Sequence, residues 1–139
     1  MMEITLELGR QVLASQPFSV LIGATLLAFI PGEAELTIPI TDQLKQQYGF
    51  LHGGVISYAA DNALSFAGGS VLGLLVLTSE YKINYLRQAA GERLVARARV
   101  IHASKRQAVC RCDVYAVQDD EETLCATAQG TIVKIGSET

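Results

Sequence analysis

The stretch QQYGFLHGGVISYAADNALSFA, residues Gln46–Ala67, determines how the rest of the chain is arranged. From Gly54 onward its residues are apolar around most of a helical circumference, which is typical of a helix buried inside a domain. One stripe of this helix is polar, because Ser57, Asp61 and Ser65 recur at every fourth position. The pattern predicts a central buried helix with a carboxylate in its middle.

Glycines precede this helix and free its first backbone amides for a ligand. Gly49 and the pair Gly53 and Gly54 permit tight turns and a close approach to the backbone. Unpaired N–H groups and the positive end of the helix dipole stabilise a carbonyl oxygen that gains negative charge during acyl transfer. This segment therefore carries a candidate oxyanion site as well as a carboxylate.

The distance between these two groups has a consequence for assembly. Asp61 follows Gly54 by seven residues, which corresponds to ~10 Å along a helix axis. A reacting carbon must lie about 3 Å from its attacking group while its oxygen lies about 3 Å from the donors. Two antiparallel helices related by a two-fold axis meet this requirement, and one helix does not. The sequence therefore predicts an active site between two subunits.

The run from Gln46 to Asp61, with HGG at residues 52–54, resembles the signature of hotdog-fold acyl-CoA thioesterases. The likeness is to the phenylacetate-degradation (PaaI-like) branch, and the acid follows the histidine by nine positions. It extends through PGEAELTIPI (31–40), TSEYKINYLRQAAGERLVARARVIHASKRQ (78–107) and LCATAQGTIVKI (124–135). It implies an α+β hotdog domain over residues 1–139, in which a curved, largely antiparallel sheet of about six strands wraps one central helix.

The resemblance also implies roles for the residues of the motif. Asp61 is expected to be the general base or nucleophile. The amides of Gly53 and Gly54 are expected to polarise the thioester carbonyl, and His52 is expected to shape and orient their loop. Apart from the resemblance, the positions of Ser57 and Ser65 on the same helix face predict that both hydrogen bond to Asp61 rather than act as nucleophiles.

Two further positions of the implied site are ambiguous by one residue. Gln46 is expected to position substrate or water, with Gln47 as the alternative. Thr78 is expected to complete the site from the following strand, with Ser79 as its rival, and alternation puts Thr78 on the same polar face as Glu80. Other candidate substrate-binding residues lie on the central helix or are basic side chains for the phosphates of coenzyme A: Ser65, Tyr58, Arg87, Lys105 and Arg106.

Periodicity predicts the remaining elements. A short amphipathic helix is expected over residues 2–15, ended by Pro17, and Gly68, Gly69 and Gly73 are expected to end the central helix. Strands are expected at residues 23–30, 34–40, 74–86, 94–103, 108–117 and 124–135. Pro39 near a strand end indicates an edge strand.

Composition limits the possible partners. Half of the 139 residues are hydrophobic and only 18% are charged, which favours burial of surface against other subunits. With the resemblance, this predicts a homodimer as the catalytic unit, assembled into a homotetramer. The net charge of −3 and the absence of long Lys/Arg runs argue against a nucleic-acid partner.

The location and the cofactor requirement follow from other features. The longest hydrophobic region, residues 18–30, is shorter than the ~20 residues that cross a bilayer, and the acidic amino terminus does not resemble a signal peptide. No membrane contact and a cytoplasmic location are therefore expected. Cys110, Cys112 and Cys125 match neither a zinc site nor a disulfide framework and are expected to be buried thiols. No metal or cofactor is expected besides the coenzyme A of the substrate.

The sequence therefore favours hydrolysis of a small aromatic or medium-chain acyl-CoA. One alternative is hydration or dehydration of an acyl thioester, which would pair His52 with Asp61 across subunits. A second alternative is a non-catalytic homo-oligomer that binds acyl ligands. Hydration of an enoyl-CoA without release of free thiol would identify the hydratase. Saturable binding of acyl-CoA without turnover would identify the binding protein.

Overall fold

The computed structural model describes residues 3–136, and a long helix, α3 (Gly53–Leu72), lies at its centre. Side chains along this helix are fully buried, including Ala60, Ala63, Leu64 and Ala67. Small residues let the sheet approach the helix backbone closely. The central helix predicted from the sequence is confirmed.

The predicted end of this helix is wrong for Gly68 and Gly69 and confirmed for Gly73. α3 continues through Gly68 and Gly69 and stops at Leu72, with Gly73 as its C-terminal cap. Both glycines are buried against the sheet. Tertiary packing therefore outweighs their low helix propensity.

Six antiparallel strands wrap around α3. They are β1 (Thr25–Ile30), β2 (Glu33–Pro39), β3 (Val76–Tyr85), β4 (Arg93–Ala103), β5 (Gln107–Gln118) and β6 (Glu121–Lys134). They form one sheet in the order β1-β2-β4-β5-β6-β3. The expected curved sheet around a helix is confirmed, and the predicted strand boundaries agree to within a few residues.

Four strands carry an extra residue that interrupts the pairing register. The extra residues are Leu27 in β1, Ser79 in β3, Ile101 in β4 and Cys125 in β6. A β-bulge bends its strand and increases the local twist. These bulges let the sheet curve around α3, and the bulge at Ser79 also changes the candidate site.

The prediction that Pro39 marks an edge strand is wrong. Pro39 is the last residue of β2, which is paired with β1 on one side and β4 on the other. The ladder continues past it, since the Ile40 N–H donates to the Glu92 carbonyl at 2.9 Å. The missing N–H of a proline is tolerated at a strand end.

The amino-terminal region contains two helices where one was expected. α1 (Leu6–Ala14) ends before Pro17, and a second helix, α2 (Pro17–Ile22), follows at once. The first strand therefore begins at Thr25 and not at residue 23. Proline is favoured at the first position of a helix, so Pro17 both ends one helix and begins the next. No helix within residues 3–136 is long and apolar enough to cross a membrane.

Gly68 packs directly against strand β6. A Cβ added there would lie 2.6 Å from Cβ of Ile132 in β6. At the neighbouring Gly69 the nearest atom to an added Cβ is Cγ2 of Val76, at 3.5 Å, an ordinary contact. Of these two glycines, only Gly68 is therefore required for close packing of α3 against the sheet.

We expect Gly68→Ala to lower the free energy of unfolding by about 1–3 kcal/mol through overpacking. The matched variant Gly69→Ala should be neutral or more stable by up to about 1 kcal/mol, because alanine is the better helix former. Urea unfolding at one fixed protein concentration measures both. Equal effects of the two substitutions would contradict this account of the contact.

Candidate active site

The polar stripe of α3 faces strand β3 and not bulk solvent. The half-buried Asp61 accepts a hydrogen bond from Thr78 Oγ1 at its Oδ1 atom, at 2.7 Å. Ser65 Oγ lies 2.9 Å from Thr78 Oγ1. Because the single proton of the threonine is directed at Asp61, Ser65 is the donor in that second contact. The second carboxylate oxygen, Oδ2, has no partner among residues 3–136.

The position of Thr78 corrects the expected strand pattern. Thr78 does not share a face with Glu80, because Ser79 is an extra residue between them in the pairing with β6. The bulge turns Thr78 to the inner side, where Tyr81 and Ile83 also lie half-buried. The rival candidate Ser79 is exposed. Simple alternation fails at a bulge, since the extra residue shifts every later side chain by one face.

The two serines of the stripe do not bond Asp61 directly, contrary to the expectation for both Ser57 and Ser65. Ser57 Oγ lies 2.5 Å from the Tyr81 hydroxyl, and Ser65 reaches Asp61 only through Thr78. A line of hydroxyl groups therefore runs between α3 and β3. Thr78, which itself accepts from Ser65, holds Oδ1 of the carboxylate and leaves Oδ2 without a partner.

At the other end of the site, the first turn of α3 presents one unoccupied amide. His52 is the N-cap, and its Nδ1 accepts the Gly54 N–H at 2.9 Å. An imidazole that accepts at Nδ1 holds its proton on Nε2. The Gly53 N–H has no acceptor within the described residues 3–136. The Tyr85 hydroxyl donates to the Gly53 carbonyl at 3.2 Å and so connects this end of α3 to the end of β3.

A cleft of about 330 Å³ opens beside this helix start. It is lined by Gln46, Gly53, Tyr85 and Arg87, together with apolar neighbours. The Gln46 side chain accepts the Tyr48 N–H within its own turn. Gln47, the alternative to Gln46, is exposed and does not line the cleft.

A smaller cavity of about 100 Å³ lies between α1, β1 and α3. Its apolar lining is Val12, Phe29, Phe66, Leu74 and Val76, and its polar lining includes Gln16, Asn62 and Ser65. Asn62 Nδ2 donates to Gln16 Oε1 at 3.0 Å. The sequence did not predict Gln16, because its contact with Asn62 joins residues 46 positions apart.

Tyr58 contacts the amino-terminal helix α2 and not strand β3. Its hydroxyl contacts Ser19 and accepts from Asn62 Nδ2 at 2.9 Å, and its ring meets Phe18 edge-on. Burial, the largest contribution, raises the pKa of Tyr58, so the hydroxyl stays protonated. Tyr58 thus anchors α2 to α3, and it lines neither the cleft nor the cavity.

The three basic candidates are at different places on the molecule. Arg87 is exposed and lines the cleft at the start of α3. Lys105 and Arg106 are exposed in the turn between β4 and β5. The Arg106 carbonyl accepts the Lys134 N–H, and Lys134 pairs with Val76 at the beginning of β3. Within one chain, this pair therefore lies at the opposite end of β3 from Arg87.

The cysteines are buried free thiols, as expected. Burial raises the pKa of both Cys110 and Cys125 to about 11, and it raises the pKa of Cys112 further. They are therefore uncharged thiols near neutral pH. Across residues 3–136 no group of three His, Cys, Asp or Glu side chains is arranged to hold a metal ion.

The separation of the two reactive groups within one chain is large. Gly53 and Asp61 are eight residues apart on α3, which corresponds to ~12 Å. The strand shows the same separation, because Thr78 contacts Asp61 whereas Tyr85 contacts Gly53. Within one chain the two candidate groups therefore lie near opposite ends of β3.

Comparison with known proteins identifies the family. The thioesterase superfamily model matches residues 48–123. The chain is 31% identical over 116 residues to the acyl-coenzyme A thioesterase PaaI of Escherichia coli, covering 83% of this chain and 80% of that protein. Identity to a 1,4-dihydroxy-2-naphthoyl-CoA hydrolase of Listeria monocytogenes is 26% over 115 residues, covering 81% and 92%. The crystal structure of a thioesterase family protein from Silicibacter pomeroyi has a TM-score of 0.86 at 38% identity, covering 91% and 96%.

The chain therefore belongs to the thioesterase superfamily. It is a thioester hydrolase, and within the superfamily it belongs with the PaaI-like branch. The resemblance first noted at the HGG motif and the hotdog architecture are both confirmed.

We expect Thr78→Val to lower kcat about tenfold to a hundredfold, because it removes the hydrogen bond to a charged carboxylate without changing the shape of the side chain. Thr78→Ser should keep most of the activity. Ser79→Ala, which alters the exposed bulge residue, should leave kcat near that of the wild type. Steady-state release of free thiol measures kcat for all three variants. A larger loss of kcat for Ser79→Ala than for Thr78→Val would assign the site role to Ser79 instead of Thr78.

Proposed function

We propose that the protein hydrolyses a small aromatic or medium-chain acyl-CoA to the free acid and coenzyme A. In this proposal Asp61 of one subunit and the first amides of α3 in the partner form each active site. The proposal rests mainly on one observation: Asp61 Oδ2 and the Gly53 N–H are both unoccupied, yet they lie ~12 Å apart within a chain. Each half-site lacks the group that the other end supplies.

The free edge of β3 supports a two-fold partner. β3 pairs with β6 on one side only, and it ends the sheet. If two copies join their β3 strands antiparallel, the Tyr85 end of one strand lies beside the Thr78 end of the other. The Gly53 amide of the partner then approaches Asp61. The dimer therefore contains two complete active sites, each built from both subunits. The homodimer is the catalytic unit.

The chemistry divides between the two subunits. The thioester carbonyl oxygen accepts from the partner's Gly53 N–H, and the positive end of α3 stabilises the negative charge that develops on it. The Gly54 N–H donates to His52 Nδ1. Gly54 therefore acts on the oxyanion only as part of the positive end of the helix dipole. Asp61 Oδ2 either removes a proton from an attacking water or attacks the carbonyl carbon itself, in which case water then hydrolyses the acyl–aspartate anhydride to the free acid and restores the carboxylate. In both cases the thiolate leaves with the electron pair of the broken C–S bond.

The cavities support the substrate class. The cavity of about 100 Å³ begins at Ser65, which is joined to Asp61 through Thr78. A cavity of this order, lined by both apolar and polar side chains, accommodates a single ring or a short alkyl chain. The named relatives act on acyl-CoA or on an aromatic acyl-CoA. Phenylacetyl-CoA is therefore the first substrate to test, in keeping with a role in phenylacetate degradation.

The coenzyme A portion of the bound substrate is proposed to lie in the cleft beside α3. Gln46 lines this cleft and supplies an amide for substrate or water. Arg87 lies at the same opening and supplies a cation for the phosphates. In an antiparallel dimer the partner's Lys105 and partner's Arg106 come to this end of β3 and add positive charge.

Assembly beyond the dimer and location complete the proposal. α2 leaves Phe18, Val20 and Leu21 exposed by 55%, 61% and 79%. Apolar area of this kind favours a second contact between copies, and hence a homotetramer. Three reduced, buried thiols fit a reducing compartment such as the cytoplasm.

Asp61→Asn should lower kcat about a hundredfold or more, because it removes the attacking or proton-accepting group while keeping nearly the same shape. Asp120→Asn is the matched control, since Asp120 is exposed in the β5–β6 turn with φ of 63°, which asparagine accepts. The measurement is thiol release from phenylacetyl-CoA, benzoyl-CoA and C6–C10 acyl-CoAs. Full activity of Asp61→Asn on every substrate would remove its proposed role. Hydration of an enoyl-CoA without thiol release would favour the alternative enzyme class.

A further inference from the structure

The cavity between α1, β1 and α3 has a wall formed by two carboxamide side chains. Gln16 and Asn62 both line this cavity of about 100 Å³, and Asn62 Nδ2 donates to Gln16 Oε1 at 3.0 Å. Ser65 also lines the cavity, but it bonds Thr78 of β3, which in turn donates to Asp61. Ser65 therefore forms the side of the cavity toward the candidate reactive group. The Gln16–Asn62 pair forms the side toward α1 and α2.

Hydrogen bonds from outside the cavity hold this pair in place. The buried Ser19 donates from its Oγ to Gln16 Oε1 at 2.6 Å. Asn62 Nδ2 also donates to the Tyr58 hydroxyl at 2.9 Å. Gln16 is the N-cap of α2, yet its side chain makes no capping hydrogen bond and reaches α3 instead. The pair is therefore a fixed connection between α3 and the junction of α1 and α2.

A wall of this kind disfavours contact with hydrocarbon. Asn62 Oδ1 and Gln16 Nε2 have no hydrogen-bond partner within residues 3–136. Hydrocarbon placed against these two atoms would remove them from water without replacing the lost hydrogen bonds. A chain that advanced further would also have to break the bond between the two carboxamides, which leaves more polar groups unpaired.

Other residues of the lining favour an apolar acyl group up to that point. Five of them are apolar: Val12, Phe29, Phe66, Leu74 and Val76. A ring or short chain that enters from the side of Ser65 buries its surface against them, which is favourable. Each added carbon atom contributes until the chain reaches the carboxamides, where the contribution changes sign. Discrimination by polar groups left unpaired exceeds that by a single methylene in an apolar pocket.

We propose that Gln16 and Asn62 are specificity-determining residues that limit the length of the acyl group. This length limit rests on the proposed hydrolysis of acyl-CoA and adds the point at which the acyl pocket ends. Beyond the pair lies the ring of Tyr58, which meets Phe18 edge-on. Truncation of either carboxamide therefore extends the cavity toward aromatic carbon atoms that a longer chain can contact.

Alanine substitutions test the length limit through the ratio of kcat/KM for dodecanoyl-CoA to kcat/KM for hexanoyl-CoA. Gln16→Ala and Asn62→Ala should each raise this ratio about tenfold or more, because the longer chain no longer meets paired carboxamides. A loss of stability alone would lower both constants alike and leave the ratio unchanged. Gln11→Ala is the matched control, because Gln11 is exposed on α1.

Gln11→Ala should keep the ratio within about twofold of the wild-type value, as expected of a surface substitution. A ratio that stays at the wild-type value in both Gln16→Ala and Asn62→Ala would overturn the length limit. A shift of the same size in Gln11→Ala would overturn it as well.

Binding of inert analogues tests the same wall without the reaction. S-hexyl-coenzyme A and S-dodecyl-coenzyme A carry a thioether in place of the thioester and are not hydrolysed. Relative to the wild type, Asn62→Ala should lower the Kd of the dodecyl analogue about tenfold more than the Kd of the hexyl analogue. Isothermal titration calorimetry measures both constants. An equal ratio of the two Kd values in the wild type and in Asn62→Ala would contradict the length limit.

The length limit and the proposed function fail in different ways. If Asp61→Asn is fully active while the ratio of kcat/KM shifts as expected, the length limit stands and the proposed role of Asp61 is wrong. If the wild type hydrolyses no acyl-CoA but the ratio of Kd values shifts in Asn62→Ala, the wall limits bound acyl ligands and the proposed hydrolysis is wrong. If hydrolysis depends on Asp61 and neither ratio changes, the length limit is wrong and the proposed function stands.

Discussion

The fixed rise of helix α3 sets the distance between the two candidate reactive groups of this protein. α3 carries a free backbone donor at Gly53 and a free carboxylate oxygen at Asp61, and the helical rise keeps them ~12 Å apart. No side-chain rotation closes that gap, because one of the two groups is backbone. A helix buried by a curved sheet cannot bend to do so either. In the proposed mechanism a second copy of the chain supplies the missing group, which would make assembly part of the chemistry.

Strand β3 controls how that assembly relates to the site. It contacts Asp61 through Thr78 at one end and Gly53 through Tyr85 at the other, so it carries both half-sites on its inner face. Its other edge is free to pair with a copy. A single inserted residue, Ser79, reverses the face of Thr78 and so connects the strand to the carboxylate. Small local irregularity thus determines the site, whereas the sheet and helix supply rigidity.

The sequence predicted the elements with strong periodicity and missed those that depend on local exceptions. The buried helix and the strands follow from apolar spacing, and the HGG motif identified the family correctly. α2 was missed because Pro17 was interpreted only as a helix end. Thr78 was assigned to the wrong face because a bulge leaves no clear trace in alternation. Gln16 was missed because its contact with Asn62 is set by tertiary packing.

Subunit mixing tests the shared site most directly. Gly53→Pro removes the candidate N–H donor. Proline is tolerated at this first helical position, because the preceding residue, His52, is extended with φ of −62° and ψ of 134°. Gly53→Ala, which keeps the N–H, is the control. Gly53→Pro and Asp61→Asn should each be nearly inactive alone. Co-expressed, they should regain about a quarter of wild-type activity, because mixed dimers contain one intact site built from two different chains. Activity that never exceeds that of the separate variants, although mixed dimers form, would contradict a site shared between subunits.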